Sequence, residues 1–183
     1  MNQRCHTPRG RRWLRPVLLG LAAAGLSASA LAVEPKATLT ASAPDVSGTW
    51  RVEWCDKARP QADCGGFTVF LFQKGERLCG NHHGATVNLS RLDDGEPRSI
   101  VGAVAGRKAV MTVHSTRASE AGTLFLAVAE HQGRALQWRV VDTVTGDGTD
   151  HVVAQKATLR REANDEGNEA WQAARDACRK SFD

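Results

Sequence analysis

From Gly48 onward the chain alternates apolar and polar positions with a period of two, the rhythm of strands that lay one face on a core. Trp50, Val52 and Trp54 alternate with Arg51, Glu53 and Cys55. Residues 67–73 are apolar on both faces, with Phe67, Val69 and Leu71 opposing Phe70 and Phe72, so this strand is predicted to be covered on both sides. Further strands are predicted over 77–82, 85–89, 99–104, 109–114, 123–129, 135–141 and 151–159. Between them, Gln73-Lys74-Gly75-Glu76, Asp93-Asp94-Gly95-Glu96, Ala105-Gly106-Arg107-Lys108 and His131-Gln132-Gly133-Arg134 each supply a glycine for a tight turn. No proline interrupts the strand spans. Successive hairpins place neighbours in sequence side by side, and closing the meander removes its two open edges. The predicted fold is therefore mainly β: an antiparallel up-and-down barrel of about eight strands, two of the nine spans merging around Gly80 or Gly84. A two-sheet sandwich is the alternative.

The period changes at the C-terminus. Asn168 can cap a helix over 169–181, with Trp171, Ala174 and Cys178 on one stripe and Arg175, Arg179 and Lys180 toward the end that favours cations. This helix is expected to pack on the outside or one mouth of the sheet, with the charged residues 160–167 as its connection.

The N-terminus follows neither period. Arg4, Arg9, Arg11, Arg12 and Arg15 precede an apolar run over 17–32 that ends in Ala30-Leu31-Ala32, the pattern of a removable signal peptide cut before Val33. The run is short for a permanent membrane anchor and is interrupted by Gly20 and Gly25. The expected division is a signal peptide over 1–32, a flexible lead-in over 33–47 and a single barrel domain with its helix over 48–183. The mature protein is expected to be secreted or periplasmic, and monomeric.

Removal of the signal alters the charge argument. The chain has 24 Lys+Arg against 20 Asp+Glu, but five of the arginines and none of the acids lie in the signal, leaving 19 against 20. A nucleic-acid partner loses its electrostatic basis. Five cysteines likewise become four, and an even number in an exported chain points to two disulfides. The preferred pairing joins Cys55 to Cys64 across a Pro-bearing excursion and Cys79 to Cys178 between sheet and helix, with Cys64–Cys79 as the rival. Irregular spacing argues against a zinc site.

Few residues suggest chemistry. His82-His83, in the Gly80–Gly84 stretch, reads as a solvated turn; His114, His131 and His151 are isolated, and no zinc-peptidase spacing is present. Ser115 follows His114 beside a loop carrying Glu120, but no nucleophile elbow surrounds it. Asp93-Asp94 and Asp142, Asp147 and Asp150 fall in glycine-bearing loops without calcium-loop spacing. No nucleotide-binding motif occurs, and neither a cofactor nor an enzymatic activity is expected. The aromatic residues remain: Trp50, Trp54, Trp138 and Phe70 are the candidates to line a ligand cavity. Alternatively Trp50 and Trp138 close the barrel while Trp54 packs inside it.

Gly48-Thr49-Trp50, a glycine and tryptophan flanking one residue at the start of the first strand, resembles the opening of the calycin superfamily, which includes lipocalins and avidins. The hairpin over 66–80, with Gln73-Lys74-Gly75 and Leu78-Cys79-Gly80, is similar in rhythm to the second and third strands of avidin-like barrels. The resemblance implies an antiparallel barrel with a ligand cavity. The chain has no tyrosine, so the biotin site of avidins does not carry over. The expected function is a non-enzymatic exported binding protein for a small apolar ligand or a cell-envelope component. The alternative is a protein-binding inhibitor of lysozyme or protease type, or an envelope structural protein.

Overall fold

The computed structural model describes residues 44–117, 121–162 and 168–183. The expected signal peptide, most of the lead-in and the loop acid Glu120 lie outside the described residues. Nine strands form one antiparallel sheet: β1 (Gly48–Trp54), β2 (Gly65–Lys74), β3 (Arg77–Ala85), β4 (Leu92–Asp94), β5 (Ile100–Ala105), β6 (Lys108–Ser115), β7 (Thr123–Gln132), β8 (Ala135–Thr145) and β9 (Lys156–Arg161), followed by α1 (Glu169–Phe182). Strands pair with their neighbours in sequence except that β4 and β5 both pair with β3 rather than with each other, and β9 returns to β1. Eight strands thus close the barrel. The short β4 continues the line of β5 along β3: β5 pairs with residues 77–80 and β4 with residues 83–85.

Alternation sends one residue in two inward, and all eight strands of the ring contribute to one apolar cluster. Trp50, Phe67, Phe125 and Trp138 sit in it at no more than 1% exposure, packed among Leu71, Leu78, Ile100, Met111, Leu136 and Leu159. Barrels of this strand number can be filled by side chains, and this one is.

The ring closes through Gly48 and Arg161. The Arg161 guanidinium lies 5.3 Å from the Trp50 ring centroid, donates 2.7 Å to the Ser47 carbonyl and packs where a Cβ on Gly48 would stand. Gly48 also has φ +131°, which disfavours any side chain. Val46, expected in the exposed lead-in, is buried beneath this end, and its carbonyl accepts the Trp50 indole N–H at 2.9 Å. The apolar side chain finds a place there because Gln73 and Ser47 satisfy the neighbouring backbone.

The outer faces of β2 and β3 are covered by α1, which explains the two-sided pattern of β2. Phe70, Phe72 and Cys79 pack against Ala174 and Cys178, with Trp171 5.2 Å from Phe72. Asn168 caps the helix by accepting the Trp171 N–H, and Arg77 donates to the terminal carbonyls of Ser181 and Phe182. Disulfides join Cys55 to Cys64 and Cys79 to Cys178; the second spans 99 residues of sequence.

Three expected elements differ. Residues 85–89 do not form a strand: β3 ends at Ala85, and Val87–Leu89 make a short 3-10 turn with Asn88 and Leu89 at positive φ. Thr86 closes this turn through its backbone and hydroxyl contacts with Arg91, while the Asn88 N–H is taken by Asp63. Asp93, expected in a hairpin turn, lies in β4. Of the span 151–159 only its second part is a strand, because the N–H of Val152 is engaged by Asp93 and Val152–Ala154 pack into the barrel end.

Candidate functional site

The four candidate ligand-lining residues do not share a face. Trp50, Trp54 and Trp138 point inward, and their indole N–H groups donate to the carbonyls of Val46, Ala85 and Ala154. Phe70 faces outward beneath α1. The tryptophans therefore act as packing with satisfied polar ends.

A cluster that the sequence reading kept apart comes together instead at the barrel end opposite Arg161. His82, read as a solvated turn residue, lies inside β3 with no exposed surface, and Asp93 and Ser115 are 2% and 1% exposed. Both carboxylate oxygens of Asp93 accept the Ser115 hydroxyl at 2.9 Å. One also accepts the Val152 N–H at 2.8 Å, and the other faces His82 Nε2 at 3.4 Å. On its far side His82 Nδ1 meets Ser99 Oγ at 2.9 Å. Ser99 gives its only hydroxyl proton to Asn81 Oδ1, so Nδ1 is the donor to Ser99. Burial raises the Asp93 carboxyl pKa, but the hydrogen bonds from His82, Val152 and Ser115 outweigh it and hold the group below its ordinary value.

Serine, histidine and aspartate thus adjoin, but in an order that cannot activate a nucleophile. Asp93 stands between the other two, so the serine proton points to the carboxylate and the imidazole does not touch the hydroxyl. The cluster is a structural tie between β3, β4, β6 and the segment before β9. Two glycines admit it: a Cβ on Gly95 would collide with His82 and Ser99, and one on Gly84 with Val152. Strand parity carried the missing signal. His82 shares the inward phase of Leu78, and Ser115 that of Met111 and Val113.

The other histidines disperse. His83 pairs with Asp94 at 3.3 Å and meets the Phe70 ring edge-on. His131 lies against Trp50 and His151 against Phe125. Among the described residues, the one cluster of metal-ligating type is Glu53 with Cys55 and Cys64, whose sulfurs are bonded to each other. No helix among the described residues is long and apolar enough to cross a membrane.

A groove of about 860 Å³ opens on the outside of the barrel over β6 to β9. Register builds it from two adjacent rows of outward side chains. Val110, Val128, Arg139 and Lys156 stand opposite one another in turn, as do Lys108, Glu130, Gln137 and Thr158. Short side chains on β6 and β7 and long cations on β8 and β9 give the first row an apolar and a basic end.

Fold and register define a class by themselves: a closed eight-stranded antiparallel β-barrel with a C-terminal helix and an external groove. No family model, no curated protein and no solved structure matches the chain.

Proposed function

We propose that this is an exported, non-enzymatic binding protein, calycin-like in its barrel, that engages a cell-envelope component through the outer face of β6 to β9. The packed interior carries this reading. With Trp50, Phe67, Phe125 and Trp138 all buried in one cluster inside the ring, an apolar ligand gains more room from the external groove than from the barrel. Two disulfides fit an oxidising compartment, as does the signal-like N-terminus.

Methyl NMR tests the site, because neighbouring residues face opposite ways. Titration with long-chain amphiphiles should shift the Val110 and Val128 methyls and leave Met111 and Leu136 unmoved. Shifts confined to Met111 and Leu136 would place the ligand inside and overturn the reading. For export, N-terminal sequencing of protein recovered outside the cytoplasm should begin at Val33.

One observation favours a protein-binding inhibitor as the second reading. Leu89 at the end of the 3-10 turn and Leu92 at the start of β4 are half-exposed on a segment that Thr86, Asp63 and Arg117 pin in place, and Leu89 sits at positive φ. A rigidly presented apolar side chain is a suitable anchor for a partner's pocket. Leu89→Asp should abolish binding to a secreted protein partner under this reading and leave amphiphile binding unchanged under the first.

A further inference from the structure

We propose that the external groove binds an anionic single-chain lipid, with its head between Arg139 and Lys156 and its tail along Val128, Val110 and Ala103. This names the ligand class of the proposed binding face over β6 to β9 and rests on that reading. Cross-strand register supplies the argument. Ala103 opposes Val110, Val110 opposes Val128, Val128 opposes Arg139, and Arg139 opposes Lys156. One row of outward positions therefore crosses five strands, apolar over three and cationic over two. At the strand spacing of about 4.8 Å, the row from Ala103 to Lys156 spans about 19 Å.

Its two ends are each unfavourable when empty. Val110 remains 49% exposed, with half-buried Val128 beside it and Val101 a further exposed valine on β5. Arg139 and Lys156 face each other directly across β8 and β9, an arrangement of like charges that destabilises a strand pair. Lys108 adds a third cation at the groove edge, against the single acid Glu130. Among the described residues no carboxylate lies within ion-pair distance of Lys108, Arg139 or Lys156. An anionic head between Arg139 and Lys156 relieves their repulsion through charge-assisted hydrogen bonds, and an acyl chain covers the valines. A neutral amphiphile does only the second, and a cationic one aggravates the first.

The test uses the oxidised mature protein and three probes below their micellar concentrations: dodecanoate, dodecyltrimethylammonium and dodecyl maltoside. Calorimetric titration should show dodecanoate binding about tenfold or more tighter than the other two, the difference expected from one or two charged hydrogen bonds. Arg139→Glu and Lys156→Glu should each remove that preference, and Val110→Asp should weaken all three probes. Both cations are exposed and their repulsion is removed by either reversal, so the variants should fold and melt at or slightly above the parent's temperature; Arg179→Glu on α1 serves as a control that leaves probe binding unchanged. Equal binding of the three probes, with Val110 and Val128 methyls shifting, would overturn the anionic assignment and leave the external site standing. Dodecanoate binding untouched by every variant, or no saturable binding of any probe, would overturn both.

Discussion

The two ends of the barrel are closed by opposite means. At one, Val46, Trp50 and Arg161 make an apolar plug under a cation, with the indole and guanidinium donating to backbone carbonyls. At the other, Asp93, His82, Ser115 and Ser99 form a hydrogen-bonded cluster with hardly any exposed surface. Apolar packing at the first end loses its contacts in proportion to what is removed. The polar end behaves differently, because removing one member leaves the others buried without partners. Residues that look catalytic by type can thus serve to tie strands together, while the proposed binding surface lies where side chains are ordinary.

Asp93→Ala should break the polar end most severely. It strands the Ser115 hydroxyl, the Val152 N–H and His82 at once, at a cost of about 3–5 kcal/mol, since each buried polar group left without its partner costs about 1–3 kcal/mol. Urea unfolding measures this, and a loss below about 1 kcal/mol would show that the cluster does not tie the barrel end together. Next comes the bond that holds α1 over β2 and β3. Cys178→Ala should cost about 2–4 kcal/mol, since the Cys79–Cys178 bridge closes a long loop. The same experiment on Cys64 should cost less, because that loop spans only 9 residues. At the apolar end Arg161→Ala should cost about 1–2 kcal/mol, from one cation–π contact and one hydrogen bond. Should Arg161→Ala prove as damaging as Asp93→Ala, the contrast between the two ends would disappear.

At the apolar end Trp50 was legible, although Val46, expected in the lead-in, and Arg161, expected in the connection to α1, were not. Gly48-Thr49-Trp50, the inward phase of β1 and the glycine turns are local signals, and local signals are enough to place a meander and close it. The two-sided β2 even announced the helix that covers Phe70 and Phe72. What the sequence obscured depends on distance along the chain. Asp93 is buried because Ser115 and Val152, 22 and 59 residues away, donate to it, and nothing near Asp93 distinguishes it from exposed Asp94. Next to Gly95 an acidic pair reads as a turn. Parity alone would have turned His82 inward, but its two flanking glycines suggested a bend. The groove was hidden for a related reason: an exposed valine or lysine is unremarkable until register sets Val110 beside Val128 and Arg139 beside Lys156.

The gentlest probe of the contrast is pH. Burial holds His83 and His151 below the ordinary imidazole value despite nearby Asp94 and Asp93, and burial with Arg107 and Arg161 does the same for His131. As pH falls below about 6.5 the unfolded chain takes up these protons before the folded one, so stability declines with acidification. Asp93 acts lower on the scale. Its folded pKa is depressed, so its contribution is complete above the unfolded value near 3.8 and is lost as pH falls through the folded value. Unfolding midpoints should therefore drop in two stages, a shallow one below about pH 6.5 and a steeper one below about pH 4. His83→Gln should flatten the first stage and spare the second, because His83 pairs with Asp94 outside the buried cluster. If that variant left the shallow stage wholly intact, burial of His83 would not contribute to it and the stage would fall to His131 and His151.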